Sequence, residues 1–264
     1  MTPLDGILKL DEFEALAHER LDPAAYAYYA GGAGDEITIG RNVAAFERRE
    51  LLPHVLVDVA EVDARTTMLG TEVAMPVGLA PNAAQGLADP DGECATARAA
   101  AATNVIMCLS TFSSRGMDEV AKAASGPKWF QLYVHKDRGI AKEMIAFAAD
   151  TGYQALVLTV DLPVGGYRER ELRTPFRSDQ QQAFPNLPVN TAGRSILELL
   201  EGLVNASLTW SDLEWIRAAG DLPLVVKGVM TPEDAVRCFD HGAAAIVVSN
   251  HGGRQLDRAP ATLD

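Results

Sequence analysis

Chemistry is concentrated in AAAIVVSNHGGRQLD, residues 243–257. Ala243 to Val248 is apolar, short and rich in β-branched residues, which suits a buried parallel strand. Ser249, Asn250, His251, Gly252, Gly253 and Arg254 follow at once, as a functional loop at that strand's C-terminal end would. His251 can exchange a proton near neutral pH. Arg254 offers a planar fork to a carboxylate, and the paired glycines let backbone approach a ligand. Taken alone, these residues read equally well as a buried histidine and an arginine on an ordinary turn. The pattern recurs, however. Other apolar runs also end in polar residues: Asn82, Ser110, Gln131 with Tyr133, Thr159 with Asp161, and Lys227. A lysine inside VVKGV is costly to bury without purpose. Asp161 alone reads also as a turn cap. Arg168 sits among Glu169, Arg170, Glu171 and Arg173, a setting usual for solvated charge. Tyr28 beside Tyr29 fits a core or interface at least as well as a ligand contact.

These groups need elements to hold them. MPVGLA (75–80), VIMCLS (105–110), KWFQLYV (128–134), ALVLTVD (155–161), LPLVVKG (222–228) and AAAIVVSN (243–250) read as strands. Helices separate them: from Asp89-Pro90 to about Thr103, through Met117 to Ala124, from Asp137 to Gly152, from a Ser211/Glu214 box, and from Thr231-Pro232 to Gly242. Ahead of them, Asp11 with Glu14, Asp22-Pro23 and Asp35 announce three short helices. Residues 51–73 read as a β-rich connector with a turn at Gly70. Residues 163–195, punctuated by proline and carrying glutamines at 180–182, form a segment longer than compact connections allow, hence a lid or substrate loop. Alternating strands and helices mean a parallel α/β sheet. No GxGxxG follows the first strand, which weakens a dinucleotide-binding reading. Polar residues at nearly every strand end favour a TIM barrel, where those ends converge on one face.

Composition narrows the class. The net charge of −13 argues against a nucleic-acid surface. Three dispersed cysteines, Cys94, Cys108 and Cys238, show neither a disulfide framework nor zinc spacing. No signal peptide or membrane-length apolar run is visible, so a cytoplasmic protein is expected.

Six motifs then resemble a known family, the FMN-dependent 2-hydroxy-acid oxidases and dehydrogenases (glycolate oxidase, lactate oxidase, mandelate dehydrogenase). They are YYAGGAGDE (28–36), LAPNAAQGLADPDGE (79–93), FQLYVHKDR (130–138), LTVDLPVGGYRERELR (158–173), LVVKGVMTPEDA (224–235) and IVVSNHGGRQLD (246–257), in family order. The resemblance implies His251 as the active-site base and Asp161 as the carboxylate behind it. It implies Arg168 and Arg254 as a clamp on the substrate carboxylate, and Tyr28 and Tyr133 as hydrogen-bond partners of the substrate. Lys227 becomes the cation beside the flavin, with Pro81, Asn82, Ala83, Ser110, Gln131, Thr159 and Ser249 as further FMN contacts. A small 2-hydroxy acid is the implied substrate, mandelate-like or lactate-like. Phe112, Gly165 and Tyr167 are candidates for its side-chain pocket. No metal is implied; the electron acceptor is left open, and a homo-oligomer, commonly a tetramer, is implied.

The fold expected is therefore α/β, a TIM (β/α)8-type barrel with an N-terminal helical extension. Residues 1–73 form helices and connector, and 74–264 the barrel with the FMN and substrate site. Only about six of eight βα units are apparent, against about 250 residues for a complete barrel. The usual phosphate site after strands seven and eight has no counterpart, nor does a haem-binding module ahead of the barrel. A shortened chain, a piece of a longer product, or an association that completes the core are the three explanations, and weak FMN binding by this polypeptide alone is expected. Two other functions compete: a scaffold remnant without activity, and a lyase or isomerase that binds a phosphate ligand.

Overall fold

The computed structural model describes residues 6–174, 184–191 and 193–264. Six parallel strands carry the site: β3 (Gly78–Leu79), β4 (Ile106–Leu109), β5 (Lys128–Leu132), β6 (Leu156–Thr159), β7 (Leu224–Val229) and β8 (Ala245–Val248). Each pairs only with its sequence neighbours, in the order β3-β4-β5-β6-β7-β8. Such one-way winding belongs to a (β/α) barrel; a doubly wound sheet reverses its order at a switch point. Helices α4 (Glu93–Ala102), α5 (Met117–Ala123), α6 (Arg138–Asp150), α9 (Asp212–Ala218) and α10 (Pro232–Asp240) alternate with the strands.

Strand residues alternate between two apolar layers. Met107, Leu109, Phe130, Leu132, Leu156, Leu158, Leu224 and Val226 face the helices and pack on Ala97, Val120, Ala141, Ile145 and Ile216. Ile106, Cys108, Trp129, Val157 and Val225 face inward. Burial on both faces explains the unbroken apolar runs. At the C-terminal ends the inward positions turn polar: Gln131 two residues after Trp129, Thr159 after Val157, Lys227 after Val225.

The inner layer is plugged by the hairpin of β1 (Thr66–Met68) and β2 (Thr71–Val73), through Val73 and Met68. Its two-residue turn puts Leu69 (φ 48°) and Gly70 (φ 78°) in the left-handed region, as a tight hairpin requires. The expected turn at Gly70 is thus present. The rest of the connector has no strand, and Leu51, Leu52, Val55 and Leu56 are exposed.

Three helices precede the hairpin: α1 (Glu12–Arg20), α2 (Pro23–Ala30) and α3 (Ile37–Glu47). The Asp22-Pro23 start is real, Asp22 accepting from Ala24 N at 2.8 Å. Asp11 and Ser211, by contrast, make no side-chain cap. Both sit in the helical region of φ/ψ, and the side chain of a residue already wound into the helix does not reach back to the free N–H groups. Asp35 does not cap α3; Asp257 does so from across the molecule, its Oδ1 accepting from Thr38 N at 2.9 Å and its Oδ2 from Asp35 N at 3.0 Å.

The stretch read as a lid contains order. Arg168 leads into α7 (Glu169–Arg173), and α8 (Ile196–Leu203) follows. Helix α8 starts with a full capping box, Ser195 with Glu198, and buries Ile196, Leu199, Leu200 and Leu203. The glutamines at 180–182 lie outside the described residues. No helix among the described residues is long and apolar enough to cross a membrane.

Candidate active site

A cavity of about 280 Å³ opens at the C-terminal ends of the strands. Of the fourteen residues to which the resemblance gives catalytic, substrate or flavin roles, thirteen line it: Tyr28, Pro81, Asn82, Ala83, Ser110, Gln131, Tyr133, Thr159, Arg168, Lys227, Ser249, His251 and Arg254. Asp161 stands directly behind the wall, its Oδ1 2.7 Å from His251 Nδ1. Residues from α2, six strand ends and α7's approach thus meet in one place. A larger apolar cavity of about 430 Å³, lined by Leu158, Val160, Leu213 and Ile216 among others, lies on the sheet's other face, and no titratable cluster converges there.

His251 holds a left-handed backbone, φ 59°, a costly conformation for a histidine that surrounding bonds must enforce. Two of them are visible. His251 N donates to Ser249 Oγ at 3.0 Å, and Asn250 Oδ1 accepts from Gly253 N at 3.1 Å. Asn250 is itself held by Asn42 of α3, the two amides exchanging bonds of 2.7 and 3.1 Å.

Burial pushes the His251 pKa below its ordinary value, opposed by the hydrogen bond and charge of Asp161. The ring is therefore neutral near pH 7. With Nδ1–H given to the carboxylate, Nε2 is left with a lone pair. Burial also lowers the pKa of Lys227, again opposed by Asp161, whose Oδ2 is 4.0 Å from Nζ. Lys227 Nζ donates to Ser249 Oγ at 3.1 Å. Burial raises the phenols of Tyr28 and Tyr133, keeping both as hydrogen-bond donors.

The two arginines are fixed by different means. Arg254 Nη1 donates to the carbonyls of Tyr29 (3.2 Å) and Gly31 (2.5 Å), and its guanidinium lies 5.2 Å from the Tyr28 ring centroid. Arg168 is almost wholly buried and forms an ion pair with Glu171, Nη1 to Oε2 at 2.8 Å. Its Nε has no partner.

Buried polar atoms without partners recur around the cavity: Gln131 Nε2, Thr159 Oγ1 and Arg168 Nε. Each such atom costs about 1–3 kcal/mol unless something bonds to it. The other amide atom of Gln131 is engaged, Oε1 accepting from Ser110 Oγ and Thr111 N, both at 3.2 Å. A planar heteroaromatic ring with carbonyl and nitrogen acceptors would meet a free amide donor, a free hydroxyl and the Lys227 ammonium. The donor set fits an isoalloxazine, and the described residues contain no cluster able to hold a metal.

Sequence reasoning missed part of the wall. Leu162, Ile196 and Leu200 line the cavity beside Phe112. Gly165 and Tyr167 do not line it; Tyr167 is 67% exposed, and Gly165 packs against Leu197. Ile196 and Leu200 carry no chemical signature of their own. Only the Ser195-to-Glu198 capping box and the helical spacing that follows mark them.

The comparisons agree with this geometry. The sequence profile described as FMN-dependent dehydrogenase matches residues 17–264. An L-lactate oxidase of Nostoc sp. is 45% identical, with 100% of this chain and 76% of that protein covered. A glycolate oxidase of Spinacia oleracea is 40% identical over 97% of this chain and 72% of its own length. A solved structure of mandelate oxidase with (S)-4-hydroxymandelic acid superposes with a TM-score of 0.89 at 36% identity, covering 96% of this chain and 73% of that one. With the strand order, the convergent cavity and these matches in accord, the chain belongs to the FMN-dependent dehydrogenase family, on a TIM-barrel scaffold.

Proposed function

We propose that this protein oxidises an (S)-2-hydroxy acid to the 2-oxo acid. One observation carries the reading: a neutral histidine backed by a carboxylate faces the same cavity as two fixed guanidinium groups. Arg168 and Arg254 hold the substrate carboxylate, Arg168 with its unpartnered Nε. Tyr28 and Tyr133 donate hydrogen bonds to the substrate's oxygens. His251 Nε2 takes a proton from the substrate, and Asp161 stabilises the resulting imidazolium and keeps Nδ1 protonated. FMN, when bound, supplies the two-electron acceptor that no side chain provides. Lys227, Gln131, Thr159, Ser110, Ser249 and the backbone at Pro81, Asn82 and Ala83 would hold it.

The relatives are named for lactate, glycolate and mandelate. An apolar wall of Phe112, Leu162, Ile196 and Leu200 favours a 2-hydroxy acid with an apolar side chain, lactate-like or mandelate-like, over glycolate. The reading extends to a cytoplasmic homo-oligomer; the exposed Leu51, Leu52, Val55 and Leu56 support association, and sedimentation tests it. The deciding experiment titrates the purified chain with FMN, removes oxygen, and adds lactate, mandelate and glycolate in turn. Bleaching of the flavin band with appearance of the 2-oxo acid is expected. A bound flavin that no 2-hydroxy acid bleaches would leave the inactive remnant, and retention of turnover by His251→Ala would revive a lyase or isomerase.

A further inference from the structure

The loop between Asp161 and Arg168 carries a site group at each end. Gln255, directly after Arg254, grips that loop with its whole carboxamide. Its Oε1 accepts from Gly166 N at 3.1 Å, and its Nε2 donates to the carbonyls of Asp161 (3.1 Å) and Val164 (2.9 Å). The two loops are in backbone contact at the same place: a Cβ on Gly166 would lie 2.1 Å from the Arg254 carbonyl oxygen. The N-terminal loop joins them, Ala33 N donating to Gly253 O (3.0 Å) and Gly34 N to Tyr167 O (2.9 Å). One side chain therefore touches the backbone of the residue behind the base, and the backbone two residues ahead of one clamp arginine, while following the other in sequence.

We propose that Gln255 is a positioning residue for the oxidation, its carboxamide setting the spacing between the Asp161–His251 pair and the Arg168–Arg254 clamp. This rests on the proposed function above. The chemistry of the contact is specific. A carboxamide accepts and donates at once. A carboxylate of the same length would place an oxygen against two carbonyl oxygens, and a methionine would fill the volume without a donor.

The test compares Gln255→Glu and Gln255→Met with wild type, in the full chain with FMN. A displacement of about 1 Å at a reacting pair costs up to about 100-fold, so Gln255→Glu is expected to lose about 100-fold in kcat/KM and Gln255→Met about tenfold. The groups facing His251 are Asp161, Lys227 and Arg254, and Asp161 alone raises its pKa. In the uncharged Gln255→Met, slackening the loop removes that support, so the acid limb of the kcat/KM profile moves to lower pH. Two readouts need no turnover and are taken on Gln255→Met, which adds no charge: NMR titration of the His251 ring shows the same downward movement, and hydrogen exchange at the Gly166 amide, now without its acceptor, accelerates. Retention of kcat/KM within about threefold, or its loss with an unmoved His251 titration and an unchanged Gly166 amide, overturns the proposal. Absence of any turnover by the wild type instead overturns the functional reading, and the two NMR arms still decide whether Gln255 positions the loop.

Discussion

Asp161→Asn is the sharpest probe of the proposed base, His251. In the resting protein His251 is neutral, so the Asp161 charge contributes little to the ground state. Once Nε2 has taken a proton, a full charge pair exists across the 2.7 Å contact between Nδ1 and Oδ1. The side chains are 20% and 11% exposed, so an effective dielectric constant near 20 is appropriate, and charges about 4 Å apart attract by about 4 kcal/mol. Because each 1.36 kcal/mol is about tenfold in rate, kcat should fall about 10³-fold. With the carboxylate clamp assigned to Arg168 and Arg254 in the proposed function, substrate affinity should change little. An asparagine amide that donates to Nδ1 also moves the proton to Nε2, adding to the loss. Lys227 loses its counter-charge at 4.0 Å, and with the main opposition to burial gone its pKa falls further. Anaerobic rapid mixing with lactate or mandelate, following flavin absorbance, reads the rate directly. A reduction rate within about tenfold of wild type would refute the assignment of Asp161 as the carboxylate that supports the base.

Three further outcomes follow from named contacts. Arg254→Lys loses the guanidinium whose Nη1 bonds the Tyr29 and Gly31 carbonyls; at about 1.5–3 kcal/mol for a charged hydrogen bond, KM should rise about 10- to 100-fold with a smaller change in kcat, measured in steady state. Glu93 is fully buried, and its Oε1 accepts from Gln85 N and Ser114 N at 3.0 Å each; Glu93→Leu strands both donors at about 1–3 kcal/mol each, and thermal denaturation should show Tm lowered by roughly 5–20 °C. His251 titrates below 6.5 when folded, so the unfolded chain binds more protons than the folded one in the interval beneath 6.5. Stability therefore rises with pH through that interval and is lost as pH falls, and His251→Asn should flatten the slope of urea midpoints just below pH 6.5.

The barrel's strands could be read locally because burial on both faces writes itself as continuous apolar sequence, and because the inward positions turn polar at one end. Gln131, Thr159 and Lys227 each break such a run at the expected parity. Edges are harder: the run at 75–80 shrinks to Gly78–Leu79, which has a partner on one side only. Helix α8 was readable from its capping box and its Ile196, Leu199, Leu200, Leu203 spacing, yet the prolines ahead of it suggest a loop. Nothing local announces that Asp257 caps α3, or that Gln255 holds the 161–166 loop, since both acts depend on partners brought near only by the closed fold. The same limit separates Phe112, which lines the cavity, from Tyr167, whose ring points to solvent.

The clasp between the N-terminal helices and the loop after β8 has a consequence for biosynthesis. Arg254 anchors to Tyr29 and Gly31 across 225 and 223 positions, and Asp257 reaches Asp35 and Thr38 across 222 and 219. At about 5–20 residues per second on the ribosome, roughly 10–45 s pass between emergence of the first tyrosines and of the arginine they await. Throughout that interval α2 has no guanidinium to receive and α3 has no carboxylate at its N-terminus. The nascent chain thus carries strands and helices before the contacts of Arg254 and Asp257 can join the N-terminal helices to the pocket.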